Sequence, residues 1–408
     1  MEKKQIIIGR CLSVAVENKQ RRSKKAFTMR QATNPLSGEQ VSIREILNET
    51  IDTAQIDIFR ALNGLSLPTN QSDVAAQAEI SRQVAGKHLS TFQSRGLIKD
   101  YEAGIEPTAG GKLFIESIED CLEEIAEEEQ RNSAEDALSE LTRSEYPVRI
   151  LLAADGRQRV TDIERKLHED LSDPPSKSTI KRWLRWFADR DWLEKRGGEY
   201  RITATGTNFL VAYDDLVATV RQLVEKAEWF QRLPLTDATV PVRELADAKV
   251  IASNTASPSN VLGAAIRLCD LRTSRFRALC SIFNPILFHA YKLMLNFGTE
   301  AEAILDWESY QKATRHEQTE FAAQSVYEHY QPLYLEESHT LGIGLYDNRK
   351  VAVGAYNERG EGRHIVMIVS SNSEIVEWAE ELYYSYREEA RCSSTDTRGI
   401  GEGVAGSG

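Results

Sequence analysis

Twice along its 408 residues the chain sets out the same order of parts, and that repetition limits the fold more tightly than composition does. In the first stretch Val41 to Ile51 reads as a leading helix, and Ile56, Phe59 and Leu62 recur at helical spacing until Asn63-Gly64 closes the segment. Gln71 to Glu79 is short and alanine-rich, which suits a small packed helix. Ser81 can cap the next helix, which carries Val84, His88, Leu89 and Phe92 on one face and stops at Gly96. Leu97-Ile98 and Ile105 read as short strands around a turn at Asp100 to Gly104, and Thr108-Ala109-Gly110-Gly111 begins a further helix. Helix, short helix, polar-faced helix and hairpin together make a winged helix-turn-helix.

The second stretch keeps that order without obvious sequence identity. Tyr146 to Ala154 and Val160 to Leu171 are its first two helices, and Ser176 caps a third that turns Ile180, Leu184 and Phe187 inward. Strands at Asp191 to Lys195 and Glu199 to Ile202 flank Arg196-Gly197-Gly198, and Thr203-Ala204-Thr205-Gly206 starts the next helix. The sequence therefore predicts a multi-domain α+β fold with two tandem winged helix-turn-helix domains, at 41–111 and 144–207, helical linkers and a C-terminal α/β sensor-like domain.

At roughly 100 to 200 residues per domain, the length leaves room for such an arrangement. Hydrophobic residues at 41% and charged residues at 27% are ordinary for a folded chain. The five cysteines (Cys11, Cys121, Cys269, Cys280 and Cys392) are scattered and never spaced C-x-x-C, so neither a disulfide framework nor a thiolate zinc site is expected. Without a signal-peptide core or a run of about 18 apolar residues, the expected compartment is the cytoplasm, with no membrane partner. The net charge of -12 opposes a polyanionic partner only on average, because the local field decides affinity. Residues 1–40 are basic, with nine lysines and arginines against Glu2, Glu17 and Glu39, and are expected to be a disordered extension.

Lys112 to Leu141 reads as one long helix or a helix pair bearing the acidic run Glu127-Glu128-Glu129, a linker over 112–143. A connecting segment over 208–244 opens with a helix, Asn208 to Gln231, whose apolar stripe (Leu210, Tyr213, Leu216, Val220, Leu223) suits either a homodimer or packing within its own chain. From Leu245 strands and helices alternate. Ala248 to Ala252, Phe276 to Ile282, Ala301 to Leu305, Leu341 to Tyr346, Val351 to Tyr356 and His364 to Val369 read as strands. Pro258 to Asp270, Pro285 to Phe297, Ser309 to Tyr330 and Ser373 to Glu389 read as helices, with turns at Asp347-Asn348 and Arg359-Gly360. This α/β regulatory domain is placed at 245–391, and 392–408 is expected to be a disordered tail.

A helix lying in the major groove needs small, polar and cationic side chains outward, because base edges offer acceptors and phosphates carry charge. In the first domain Arg82, Gln83, Lys87 and Ser90 qualify, with Arg82 or Gln83 placed to read bases. In the second, Lys177, Ser178, Lys181, Arg182 and Arg185 do so, with Lys195 and Arg196 in the wing for phosphate or minor groove. Each charge alone is better explained as a solvated helix face; the ensemble in two matching domains favours double-stranded DNA. A scaffold whose winged helices dock proteins is the alternative. Trp183 and Trp186 are read as packing residues. A small-molecule effector is expected where strand ends meet helix starts, at Ser253, Ser281, Asn284 and Asp306. No phosphate-binding glycine loop, metalloprotease or nucleophile-elbow motif is present, and no catalytic residue, cofactor or metal is expected.

Val148 to Ala390 resembles archaeal, especially haloarchaeal, winged-helix regulators whose C-terminal domain is named after a methanogenesis regulatory protein. The resemblance lies in Tyr200-Arg-Ile-Thr-Ala-Thr-Gly206, Trp229-Phe-Gln-Arg-Leu-Pro234, Leu245-Ala-Asp-Ala-Lys-Val-Ile251, Leu341-Gly-Ile-Gly-Leu-Tyr-Asp347 and Glu377-Trp-Ala-Glu-Glu-Leu-Tyr383. It implies DNA binding by the winged helix, and effector sensing or oligomerisation by a phospholipase-D-like half without catalytic residues. The phosphodiesterase motif of that fold needs a lysine two residues after a histidine, and none follows His289, His316, His329, His339 or His364. The chain departs from the family in carrying an extra winged helix before the matching one.

Overall fold

A computed structural model describes residues 31–35, 38, 40–125, 131–320, 329–356 and 364–392. The basic residues 1–30, the acidic run at 127–129, the Arg359-Gly360 turn and the tail from 393 lie outside the described residues. The chain divides into two compact units, 1–231 and 232–408.

In the first unit β1 (Gln31–Thr33) pairs antiparallel with β2 (Gln40–Ser42), which corrects the expectation that everything before residue 41 is disordered. Ala32 is buried, so this short hairpin has an apolar anchor. Capping side chains then start each helix by accepting from backbone N–H groups that have no partner within it. Ser42 caps α1 (Ile43–Thr50), Asp52 caps α2 (Thr53–Gly64), Asn70 caps α3 (Gln71–Gln77) and Ser81 caps α4 (Arg82–Ser94). A hairpin of β3 (Ile98–Tyr101) and β4 (Gly104–Pro107) leads into α5 (Ala109–Ile125) and α6 (Arg131–Thr142), so the expected linker is a helix pair. The order begins again with α7 (Tyr146–Ala153), β5 (Gln158–Arg159), α8 (Val160–Asp170) and α9 (Lys177–Ala188). It closes with β6 (Leu193–Arg196), β7 (Glu199–Ile202), α10 (Ala204–Glu225) and the single turn α11 (Ala227–Phe230).

From the capping serine onward the two halves of this unit match without a gap, each residue lying 95 positions after its counterpart, as Ser176 follows Ser81. Ser81 accepts from Val84 N, and Ser176 from Thr179 N. Thr108 and Thr203 accept from Gly111 N and Gly206 N, and their hydroxyls donate back to Gly96 O and Asp191 O. A Cβ added to Gly111 would lie 1.9 Å from Leu97 O, and one on Gly206 2.3 Å from Trp192 O, so only glycine lets these helices approach their hairpins. Even the third strand is matched, since Thr69 bridges Ile105 as Gln158 pairs with Tyr200.

Core aromatics seat each triplet on the helix after its hairpin. Phe59 stacks on Phe92 at 4.1 Å and tilts against Phe114, while Trp192 joins Phe187 to Phe209, stacking on the latter at 4.2 Å. The inward face of α4 is Ala85, Leu89 and Phe92. This corrects the expectation for Val84, which is 39% exposed, because the i, i+4, i+7 stripe begins one residue later. His88 is half-buried, 3.2 Å from Gln55 Nε2.

Helices α5 and α10 pack on each other. Phe114, Ile118 and Leu122 from one and Tyr213, Leu216, Val220 and Leu223 from the other are all buried. The stripe on α10 is therefore used inside its own chain.

The second unit begins at Arg232, so residues 232–244 pack with the α/β part rather than extend a connecting helix. Two 3-10 turns, Leu235–Asp237 and Val242–Asp247, bring Asp237 and Thr239 to hydrogen bonds with Tyr386 and Trp378. The order is then β8 (Lys249–Ala252), α12 (Asn260–Leu268), β9 (Arg275–Cys280), α13 (Pro285–Asn296), β10 (Glu300–Asp306), α14 (Trp307–Glu320) and β11 (Tyr330–Leu335). β12 (Leu341–Tyr346), β13 (Lys350–Tyr356), β14 (His364–Ser370), α15 (Ser373–Glu389) and β15 (Arg391–Cys392) follow. Eight strands form one mixed sheet in the order β15-β11-β10-β9-β12-β13-β14-β8, with β9, β10 and β11 parallel and the remaining pairs antiparallel.

One face is sealed by Val261 and Ala264 of α12 and Met294 of α13 over Phe276, Ala278, Tyr346 and Met367. Helix α15 packs against β12 and β13, burying Ile375, Ala379 and Tyr383. Strand β12 is buried throughout, which is why it reads as an uninterrupted apolar run. Tyr330, expected in a helix, instead opens β11. That strand contains Pro332 and lies beside the two-residue β15 at the sheet margin, where a missing donor is tolerated.

Candidate nucleic-acid interface

Helix α9 buries Ile180, Trp183, Leu184 and Phe187, and this fixes what faces water. Lys177, Ser178, Lys181, Arg182 and Arg185 all reach solvent, and no carboxylate lies on the helix. Lys177, Lys181 and Arg185 fall four residues apart along one side. Lys177 reaches Glu164 at 3.1 Å, whereas Lys181 and Arg185 have no ion-pair partner among the described residues. The Arg182 guanidinium lies 5.9 Å from the Trp183 ring centroid, and Ser178 Oγ is 2.8 Å from Ser176 Oγ at the cap.

Beside this helix, the β6–β7 hairpin turns through Gly197 and Gly198, both at positive φ with open space around them. Lys195 and Arg196 are exposed on its rim. Lys195 Nζ lies 5.6 Å from the Tyr200 ring, and Arg196 pairs with Glu194 at 2.6 Å. An ion pair this exposed is worth little and leaves Arg196 available to another anion. Trp183, Trp186, Phe187 and Trp192 form one aromatic cluster of edge-on, tilted and stacked rings, so the tryptophans pack as expected. Arg201 on β7 and Arg157 in the loop before β5 are also exposed. Sequence reasoning passed over both because it took its candidates only from the third helix and the residues at the wing turn.

Helix α4 presents Arg82, Gln83, Lys87 and Ser90 to solvent, together with Val84. Its stretch of chain carries less positive charge than the other. Over Ser81 to Pro107 there are four lysines and arginines against three carboxylates; over the equivalent Ser176 to Ile202 there are eight against four. The net charge of these stretches is thus +1 and +4, in a chain that is acidic overall.

In the second unit three of the four strand-end residues accept from backbone N–H groups in the first turn of a helix. Ser253 Oγ accepts from Val261 N at 3.1 Å, Asn284 Oδ1 from Ile286 N and Leu287 N at 3.0 and 3.1 Å, and Asp306 Oδ1 from Ser309 N at 2.7 Å. Ser281 is half-buried just after β9. No described cavity unites the four. An apolar cavity of about 50 Å³ beneath α13 touches Asn284 alone among them.

A larger polar cavity of about 370 Å³ opens at the other end of the parallel strands, lined by Arg275, Arg277, Glu302, His329, Tyr384 and Arg387. Arg277 is buried and donates to Tyr384 Oη at 2.6 Å and to Glu380 at 2.5 Å. Burial alone would raise the Glu302 pKa, but hydrogen bonds from Arg387 and Tyr383 hold it below the usual value. Sequence reading missed this cavity because its groups come from separate strands and one helix. Among the described residues no cluster of three His, Cys, Asp or Glu side chains could hold a metal ion, and no helix is long and apolar enough to cross a membrane.

Several known proteins resemble parts of this chain. Residues 135–224 match a family model described as the HVO_A0261 N-terminal domain, and residues 261–389 match that of the methanogenesis regulatory protein FilR1, middle domain. The first of the two repeats lies outside both stretches. No curated protein matches the chain. Among solved structures, TrmBL2, described as an archaeal chromatin protein with a novel mode of DNA binding, is 14% identical with a TM-score of 0.28; the match covers 63% of this chain and 99% of that one. NucT from Helicobacter pylori is 12% identical with a TM-score of 0.27, over 36% of this chain and 98% of its own. Nuc of Salmonella typhimurium, a phospholipase D family member, is 10% identical with a TM-score of 0.26, over 36% and 97%. Likeness at this level leaves function to the residues of the chain itself. The two family matches set the second repeat beside the HVO_A0261 N-terminal domain and most of the α/β unit beside the middle domain of a regulatory protein.

Proposed function

We propose that the chain is a transcriptional regulator that binds double-stranded DNA in the cytoplasm through two tandem winged helix-turn-helix domains, at 41–111 and 144–207. The observation that carries this reading is the outer face of α9, where four cations and no carboxylate follow a serine-capped start. A helix so furnished can approach phosphates and base edges without like-charge repulsion. The match of residues 261–389 to a regulatory protein's domain supports a regulatory role for the second unit. We read that unit as the sensor, without a catalytic step. Its 370 Å³ cavity is of a size that holds small ligands, and the strand ends at Ser253, Ser281, Asn284 and Asp306 are the alternative seat.

The test is a mobility-shift series with purified full-length chain and duplex fragments, including its own upstream region. Binding is expected, and its affinity should fall steeply as salt rises. The absence of a shift at low salt on any genomic fragment would end this reading. The protein-docking alternative is separated by genome-wide immunoprecipitation, where a scaffold gives no sharp, motif-bearing peaks.

A further inference from the structure

We infer that one chain spans two unlike half-sites on a single duplex, as a homodimer would, because its two repeats are related by a local two-fold axis. This rests on the reading of the chain as a DNA-binding protein and adds the form of its target. Helices α5 and α10 are equivalent by the constant offset of 95 residues, and they pack on each other. They run antiparallel. Gly110, at the start of α5, lies against Phe230, just beyond the end of α10, and one small cavity is lined by both together with Val224 and Ala227. Cys121, late in α5, lies beside Tyr213 in the first half of α10, near enough to add to the effect of burial in raising the Tyr213 pKa.

Where a two-fold axis relates equivalent helices that pack antiparallel, a contact between residue i and the counterpart of residue j is matched by the reciprocal contact. Tyr213 is the counterpart of Ile118 and Leu216 that of Cys121. The reciprocal pair, Ile118 and Leu216, is fully buried as that symmetry requires. The axis passes near Asp120 and its counterpart Asp215.

Each outer helix is tied to its α5 or α10 helix through the same turn: Leu97 N donates to Phe92 O and Trp192 N to Phe187 O, and the threonine cap and the close glycine contact hold that turn to the start of α5 or α10. The axis relating α5 to α10 therefore relates α4 to α9. Two-fold-related helices of this kind address half-sites about one helical turn of DNA apart, ~10 base pairs or a multiple. The half-sites cannot be equal. Helix α4 offers Arg82, Gln83 and an exposed Val84, suited to base edges and a thymine methyl, whereas Lys177, Lys181, Arg182 and Arg185 of α9 suit phosphates.

The experiment selects a tight duplex from a random pool with the full-length chain, then measures stoichiometry and hydroxyl-radical footprints. One chain per duplex should protect two separate patches. K181A/R182A/R185A should clear one patch and R82A/Q83A/K87A the other, with unfolding midpoints unchanged because all six residues face solvent. Duplexes with either half duplicated should bind ~10-fold more weakly. A single patch, two chains per site, both variants clearing the same patch, or duplicated halves binding equally well would overturn the inference while leaving DNA binding intact. Failure of the wild-type chain to select any duplex would overturn the functional reading itself, and this inference with it.

Discussion

Between Ser81 and Phe114 in one repeat and Ser176 and Phe209 in the other, the residues that join elements are kept while several of those that face solvent have diverged. Serine caps, Leu89 and Leu184, Phe92 and Phe187, Thr108 and Thr203, and Gly111 and Gly206 occupy equivalent places. Each acts through a contact that tolerates few replacements: a cap, a packed ring or a glycine against a carbonyl. Outside that frame Gly86, Ser90 and Asp100 stand where Lys181, Arg185 and Lys195 stand in the second repeat. The difference teaches that a short list of joints suffices to hold this fold, which frees the outer helix to carry two cations in one copy and four in the other.

The comparison can be broken at the joints first. Gly111→Ala and Gly206→Ala should each destabilise the first unit by ~3 kcal/mol, since both place a Cβ within 2.3 Å of a backbone carbonyl. Urea unfolding that finds one severe and the other neutral would deny their equivalence. Next in size, K181A/R182A/R185A should lower affinity for a selected duplex ~100-fold at moderate salt, and R82A/K87A ~10-fold or less. The reverse order in a fluorescence-anisotropy titration would make the first repeat the main holder.

Removing the caps with Thr108→Val or Thr203→Val should cost about 1 kcal/mol each, by calorimetry. The smallest effect tests the divergent face: Val84→Thr installs the residue type found at the equivalent Thr179. Because Val84 is exposed, the change in stability should stay within about 0.5 kcal/mol. A larger effect would mean that Val84 packs against something.

Local chemistry made much of this legible in advance. Capping serines, paired glycines and turn residues act within a few positions, so helix starts and hairpins could be read directly. Strands β5 and β11 could not, because two residues, or a strand holding Pro332, are defined by partners far along the chain, and β1 could not because three residues are too few to show a period. An amphipathic stripe likewise does not name its partner, and α10 suited a second chain as well as it suits α5. A gapless comparison of the sequence with itself would have exposed the repeat, since its matches are sparse but never shift register. The exposed face of α9 was legible from the spacing of Ile180, Leu184 and Phe187. The polar cavity was not, because Arg277, Glu302 and Arg387 converge from separate elements.

The central claim is that two equivalent helices hold one duplex and that α9 supplies most of the charge. The salt dependence of binding tests it most directly, measured for wild type and K181A/R182A/R185A on the same duplex. The slope of log K against log salt should flatten by about three in the variant, near 0.9 for each phosphate that is no longer neutralised. Equal slopes would contradict the account, because they would place those cations away from the DNA.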